Sequence, residues 1–274
     1  MATFAVSMVK DEADVIAGML RHLADEVDEL IVADNGSTDG TRDILAALSR
    51  DLPLDVVDDP DPAYRQSEKM TALAERAAAN GARWIVPVDA DELWFSHLER
   101  ISVVCANAER DVNVVPAVLF NHFATAIDPD DSDPFRSMQW RQRQPGALPK
   151  VAFRWEPGAV VHQGNHGVDL PSRAISVDLG FEVRHFPYRS PEQMVRKARN
   201  GAAAYRAADL PETLGAHWRS YDALIDRFGE QALHDVFRQY FWAFSPVDFG
   251  LVHDPAPYLR WRDDDVDPGP VPDG

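Results

Sequence analysis

The chain of 274 residues contains one cysteine, Cys105, and no long apolar run. A single thiol excludes an internal disulfide and any cysteine-based zinc site within one chain, so Cys105 is expected to be a small buried residue. No uninterrupted apolar stretch approaches the roughly 20 residues that a membrane helix needs, and no membrane span is expected. The opening MATFAVSMVKDE does not have the form of a signal peptide, because its apolar stretch is short and its charges follow that stretch. The expectation is a soluble, cytoplasmic protein. Basic residues are also scarce: 27 Lys and Arg against 45 Asp and Glu give a net charge of −18. That balance argues against nucleic acid as a partner, since a phosphate backbone requires a broad basic footprint. G-x-x-x-x-G-K, G-x-G-x-x-G and H-E-x-x-H are all absent, and so is any internal repeat.

What remains is an ordinary globular composition, 45% hydrophobic and 26% charged, long enough for one large domain or two small ones. Residues 1–95 alternate in period. Apolar, β-branched runs at 3–9, 30–33, 54–57 and 84–88 read as strands. Between them, 13–26, the stretch after Thr41 and 67–80 carry apolar residues at helical spacing. Asp39 or Thr38 is the expected cap of the second helix, and Asn80-Gly81 is the expected stop of the third. This order implies an α/β fold with a mostly parallel sheet flanked by helices, a Rossmann-like half. After residue 95 the pattern changes. A helix is expected over 98–109, and a strand pair or one strand bent at Pro116 over 112–120. Exposed antiparallel strands are expected at 140–143 and 150–155. Ser190-Pro191-Glu192-Gln193 is a strong helix start, with Ser as cap and Pro at the first position. Helical patterns run over 192–208, 212–228 and 230–244. The expected organisation is an alternating half at 1–95, a second half of the same domain at 96–189, a helical region at 190–262 and a disordered tail at 263–274.

The stretch WIVPVDADELW, residues 84–94, concentrates the chemistry. An apolar strand ends in Asp89, Asp91 and Glu92, at the edge where open α/β sheets bind ligands. Carboxylates so close together repel unless a cation or protons offset them. An isolated D-x-D is more often a solvated turn, but at a strand end it suits Mg²⁺ or a similar hard cation, with phosphate oxygens completing the shell. Glu92 is equally a hydroxyl-binding group or a rim residue. Asp34 could accept hydrogen bonds from a ribose or base, or form a turn. Lys69 is by default a surface lysine that could reach a phosphate. Of His162, His166 and His185, the last is the best ligand imidazole, because it ends a strand just before the capped helix that carries Arg196, Lys197 and Arg199.

Taken in order, Val9-Lys10-Asp11-Glu12, IVADNGSTDGT (31–41), Lys69, WIVPVDADEL (84–93) and HFPYRSPEQMVRK (185–197) resemble the family-2-like glycosyltransferases of the GT-A fold. The resemblance is specific over residues 3–95 and looser beyond. It implies transfer of a sugar from a nucleotide-diphosphate sugar to a soluble or lipid-linked glycan or another small hydroxylated acceptor, with 1–95 as the nucleotide-sugar-binding half and 96–189 as the acceptor-side half. Val9, Lys10, Glu12, Asp34, Lys69, Asp89 and Ala90 would bind the donor. Asp91, Asp89 and His185 would hold Mn²⁺ or Mg²⁺. Glu92, Trp94 and His166 would face the acceptor. Such enzymes usually invert the anomeric centre with a carboxylate base, for which Asp169 and Glu182 are the candidates by position. The Glu-Asp and Gln-x-x-Arg-Trp signatures of better-known branches are missing, which leaves retention open. Two rivals stand beside this one. A sugar-1-phosphate nucleotidyltransferase would need a glycine-rich loop after the first strand, where Lys10-Asp11-Glu12-Ala13 has no glycine. A non-catalytic nucleotide-sugar-binding protein would have little reason to keep clustered carboxylates.

Overall fold

A computed structural model describes residues 1–209, 211 and 214–256. The first half consists of β1 (Ala2–Val9), α1 (Ile16–Glu26), β2 (Glu29–Asp34), α2 (Thr41–Leu48), β3 (Leu54–Asp58), α3 (Gln66–Ala79) and β4 (Ala82–Pro87). These strands lie in the order β3-β2-β1-β4, and every pairing among them is parallel. β1 is buried on both faces, which is why its sequence is a continuous apolar run. Its alternate residues feed two separate cores. Phe4 and Val6 meet Met70, Leu73, Ala74 and Ala77 of α3 on one face. Ala5 and Val9 join the α1 residues Ile16, Met19, Leu20 and Leu23 on the other.

The chain then forms β5 (Glu92–Ser96), α4 (Ile101–Asn107), β6 (Val114–Thr125), α5 (Pro134–Ser137), β7 (Trp140–Gln142), β8 (Lys150–Arg154), β9 (Val160–Val161), β10 (Val168–Asp169) and β11 (Phe181–His185). Here the sheet is mixed. β8 runs antiparallel between β4 and β6. β11 is parallel to β6 and antiparallel to β5. Helices α6 (Pro191–Ala207), α7 (Ala216–Phe228) and α8 (Glu230–Tyr240) close one side around their own core of Met194, Val195, Ala198, Ile225, Leu233 and Phe237. Two short strands, β12 (Trp242–Ala243) and β13 (Leu251–His253), return to β6 and β7. Among the described residues no helix is long and apolar enough to cross a membrane.

Several expectations need correction. The strand expected at 84–88 is β4, which stops at Pro87; a turn carries Asp89 and Asp91, and an unexpected second strand, β5, starts at Glu92. Periodicity could not show this, because both strands are buried and apolar. β8 is buried, not exposed, since it lies between two neighbours. β6 is one uninterrupted strand. Pro116 is tolerated just before the β11 pairing begins at Ala117. α2 is preceded by Gly40 in the left-handed region, while the Asp39 carboxylate accepts from the Thr41 N–H at 3.0 Å. α6 starts as read, with Ser190 Oγ accepting from Gln193 N–H at 3.1 Å. α7 begins at Ala216 and α8 ends at Tyr240, both shorter than their apolar patterns. Glu212 and the tail 263–274 lie outside the described residues.

Candidate active site

The parallel register brings the ends of β1, β2 and β4 to one edge, where Val9 pairs with Asp34 and Val6 with Pro87. The two loops that follow β1 and β2 are laced together. Ser37 Oγ accepts from Asp11 N–H at 3.0 Å, Thr41 Oγ1 from Glu12 N–H at 2.9 Å, and Asp39 Oδ2 from Ala13 N–H at 3.1 Å. The Asn-Gly-Ser-Thr-Asp-Gly-Thr run is therefore rich in short polar side chains because they satisfy the backbone after β1. Asp11 sits at φ 54°, a strained position for a residue with a side chain. Its carboxylate holds it there by accepting from Thr38 N–H and Asn200 Nδ2, both at 2.7 Å.

Above this edge lies a cleft of about 850 Å³. That volume suits a ligand larger than a nucleotide. Its floor is the turn 89–91. Asp89 is saturated: Oδ1 accepts from Gln66 (3.3 Å) and Asn165 (3.0 Å), and Oδ2 from Lys150 Nζ at 2.6 Å. Lys150 also pairs with the buried Glu92 at 2.7 Å and donates to Gly164 O at 2.8 Å. Asp91 is held from the other side. Its Oδ2 pairs with Lys197 Nζ, with Arg189 behind at 3.8 Å. Burial would raise its pKa, but the positive charges of Lys197 and Arg189 act against burial, and the carboxyl is held well below the usual carboxylate range.

The remaining oxygen, Asp91 Oδ1, faces His185 Nε2 at 3.6 Å. On the far side of that ring, Nδ1 lies 2.7 Å from Asn121 Oδ1, and the Asn121 amide in turn donates to Gln142 Oε1 at 3.1 Å. This network assigns the hydrogen of a neutral His185 to Nδ1. Nε2 then carries a lone pair, and two acceptor atoms face each other. That arrangement fits a cation, with Asn121 orienting the imidazole from behind. Among the described residues no group of three His, Cys, Asp or Glu side chains gathers around one point. The donor set is thus one carboxylate and one imidazole. Mn²⁺ or Mg²⁺ accepts such a set when substrate oxygens and water fill the other positions.

The cleft gathers Val9, Lys10, Glu12, Asp89, Ala90, Asp91, His166 and His185 from the residues singled out in the sequence. The others lie elsewhere. Asp34 is buried behind the loop, accepting from Ser37 N–H at 3.0 Å and Arg42 Nε at 2.7 Å. Lys69 pairs with Asp59 at 2.7 Å and braces the loop after β3. Glu92 and Trp94 do not face an acceptor; both are fully buried in β5, with Trp94 Nε1 donating to Glu92 Oε2 at 3.1 Å. Asp169 is exposed and pairs with His162 at 2.9 Å. Glu182 is buried against Arg184 and His97. Neither base candidate reaches the cleft.

Sequence reasoning missed Lys150, Gln66, Asn121, Asn165 and Arg189. A lysine opening the apolar run VAF was a usable signal, because a buried cation needs a buried anion. For the amides no local signal exists. Arg189 donates to Glu12, Asp14 and the Phe186 carbonyl at once, a role only the assembled fold reveals.

A mixed sheet of parallel and antiparallel strands flanked by helices is the GT-A type of fold. The family model of Glycosyl transferase family 2 matches residues 5–161, and the chain belongs to that family. Among solved structures, residues 1–349 of S. aureus TarS align at 14% identity and a TM-score of 0.42, over 84% of this chain and 73% of that one. The same protein in complex with UDP-GlcNAc aligns at 15% identity and a TM-score of 0.40, over 88% and 76%. No curated protein matches the chain significantly.

Proposed function

We propose that this glycosyltransferase moves a sugar from a nucleoside-diphosphate sugar to the hydroxyl of a glycan or another small acceptor, with help from Mn²⁺ or Mg²⁺. The pair Asp91 Oδ1 and His185 Nε2, 3.6 Å apart on the cleft floor, carries this proposal. These two residues would hold the cation, which when bound offsets the charge that develops on a diphosphate leaving group. Lys10 is held at the nucleotide edge by the carbonyls of Asn35 and Gly36, at 2.8 and 3.2 Å. Lys197 is positioned by Asp91 and by Pro187 O at 3.3 Å, within reach of an anion on that floor. The side of the cleft lined by Leu119, Asn121, Ala147, Leu148 and His166 is the acceptor side.

The rival nucleotidyltransferase loses support from the loop after β1. That loop presents Asp11 and Glu12, and the N–H groups of Asp11, Glu12 and Ala13 are spent on Ser37, Thr41 and Asp39 instead of cradling a triphosphate. The test is thermal stabilisation by a panel of nucleotide sugars, with Mn²⁺, with Mg²⁺ and with EDTA. A donor that binds the folded state raises the melting point. Stabilisation by at least one donor that EDTA abolishes is the expected outcome. Equal stabilisation with and without metal removes the cation from the proposal, and no stabilisation by any donor removes the donor.

A further inference from the structure

The described lining of the cleft contains four carboxylates, and each is already engaged. Asp11 accepts from Thr38 and Asn200. Glu12 is ion-paired with Arg189 at 2.5 Å. Asp89 and Asp91 are held by Lys150 and Lys197. A transferase nonetheless needs a group that takes the proton of its acceptor hydroxyl.

His166 has the free atom. It lies between β9 and β10, in the Gln-Gly-Asn-His-Gly segment that borders the cleft. Its Nδ1 is 2.9 Å from the Pro149 carbonyl, which can only accept, so Nδ1 carries the hydrogen and Nε2 keeps its lone pair. The Nε2 edge of the ring lies over Gly164. A Cβ at that position would come within 2.6 Å of Cδ2 and 2.9 Å of Nε2, so only glycine leaves room for the imidazole. Gly164 is itself fixed, its N–H donating to Gln66 at 2.7 Å and its carbonyl accepting from Lys150. Gln66 and Lys150 also grip Asp89. The imidazole and the carboxylate turn are thus mounted on the same two side chains.

Burial lowers the pKa of His166 below its ordinary 6.5. The Pro149 carbonyl and Asp89 oppose burial, while Lys150 and His185 reinforce it. The ring is therefore neutral at pH 7, in the form that accepts a proton. His217, the other cleft imidazole without a carboxylate partner, stacks on Trp218 with ring centroids 4.4 Å apart, and burial is the sole cause that perturbs it. No charged group of the 89–91 turn acts on it.

We propose that His166 is the general base of the transfer, an inference that rests on the transferase activity proposed above. Nε2 takes the proton of the acceptor hydroxyl while that oxygen forms its bond to the anomeric carbon of the donor sugar. The bond from that carbon to the diphosphate oxygen breaks, and its electron pair leaves with the nucleoside diphosphate. His166 holds the proton as imidazolium and then releases it to water.

The test compares the unaltered chain with His166→Ala and His166→Gln. UDP-GlcNAc, UDP-glucose, UDP-galactose and GDP-mannose serve as donors, with water and a panel of simple sugars as acceptors. Nucleoside diphosphate release gives turnover, and thermal shift gives donor binding. Both variants should lose about 10²–10⁴-fold in kcat, the usual worth of a positioned base. Donor-dependent thermal shifts should stay within a degree of the unaltered chain. The acid limb of the pH profile should vanish, and added imidazole should restore part of the turnover of His166→Ala. Gln keeps a polar group but cannot take the proton, so its failure separates base from mere positioning. Retention of a third or more of kcat by either variant overturns the base role and leaves the transferase proposal standing. So does loss of donor binding in parallel with kcat. If the unaltered chain turns over none of the donors, both proposals fall.

Discussion

Two walls grip the turn 89–91, and they treat its two aspartates differently. The wall of residues 150–166, together with Gln66 of α3, holds Asp89 with an ammonium and two amides. The wall of residues 185–197 neutralises one oxygen of Asp91 and leaves the other facing an imidazole. Of two carboxylates two positions apart, one is thereby a strut and the other keeps an oxygen turned to an imidazole. Spacing alone cannot assign such roles; the number of donors already spent on each oxygen does.

The largest effect should come from breaking this asymmetry at its open end. Asp91→Asn should cut turnover by about 10³-fold if Asp91 holds the proposed cation, because losing a Lewis acid costs several kcal/mol of transition-state stabilisation. Asp89→Asn should cost only about 10–100-fold, as expected of a residue that orients others. Steady-state release of nucleoside diphosphate measures both, and equal losses would erase the distinction. Next in size is Lys150→Met. It leaves Glu92 and Asp89 without their cation and should destabilise the fold by about 3–5 kcal/mol in urea unfolding at pH 7. Burial already pushes the Glu92 pKa up, against the pull of Lys150. In this variant mild acid should restore part of the stability, because the folded state binds that proton before the unfolded chain does.

A smaller, pH-dependent effect sits behind the two walls. Burial brings His22 down to about 4 and His122 down to about 3, from 6.5. The unfolded chain therefore takes up protons first, and stability present above pH 6.5 is lost as pH falls toward 4. For His22 the shift amounts to about 3 kcal/mol. His22→Asn should flatten the curve of unfolding free energy against pH in that window, and an unchanged slope would refute the assignment. The smallest effect is a control remote from both walls. Burial pushes the Cys105 thiol up to about 12. In the native chain at pH 8 its alkylation by iodoacetamide should run at least about 10²-fold slower than that of a free thiol.

The alternation of strands and helices in residues 1–95 was legible because each element there announces itself by local period, and parallel strands buried on both faces read as apolar runs. The sites at their ends were legible for the same reason: Val9, Lys10, Glu12, Asp89, Ala90 and Asp91 follow or end strands. Beyond residue 95 the pairing is long-range. β5 finds β11 across 85 residues, as His97 finds Glu182, and no window of sequence contains both partners. That is why Glu92 and Trp94 read as acceptor-side residues although β11 covers them. Asp169 and Glu182 were likewise chosen by type and position, and the fold spent both on other cations.

Arg189 sets the order in which this site can come into being. Its guanidinium joins Asp14, 175 residues earlier, and Glu12, 177 residues earlier. Contacts of such sequence separation are slow to form, because the intervening chain must first be brought together. During synthesis the first sheet can assemble while the pocket above it is still missing one side. Until Arg189 and Lys197 have left the ribosome, Glu12 and Asp91 face each other without either counter-charge. The competence of the cleft is therefore timed by α6 and the residues just before it, which are made long after the floor.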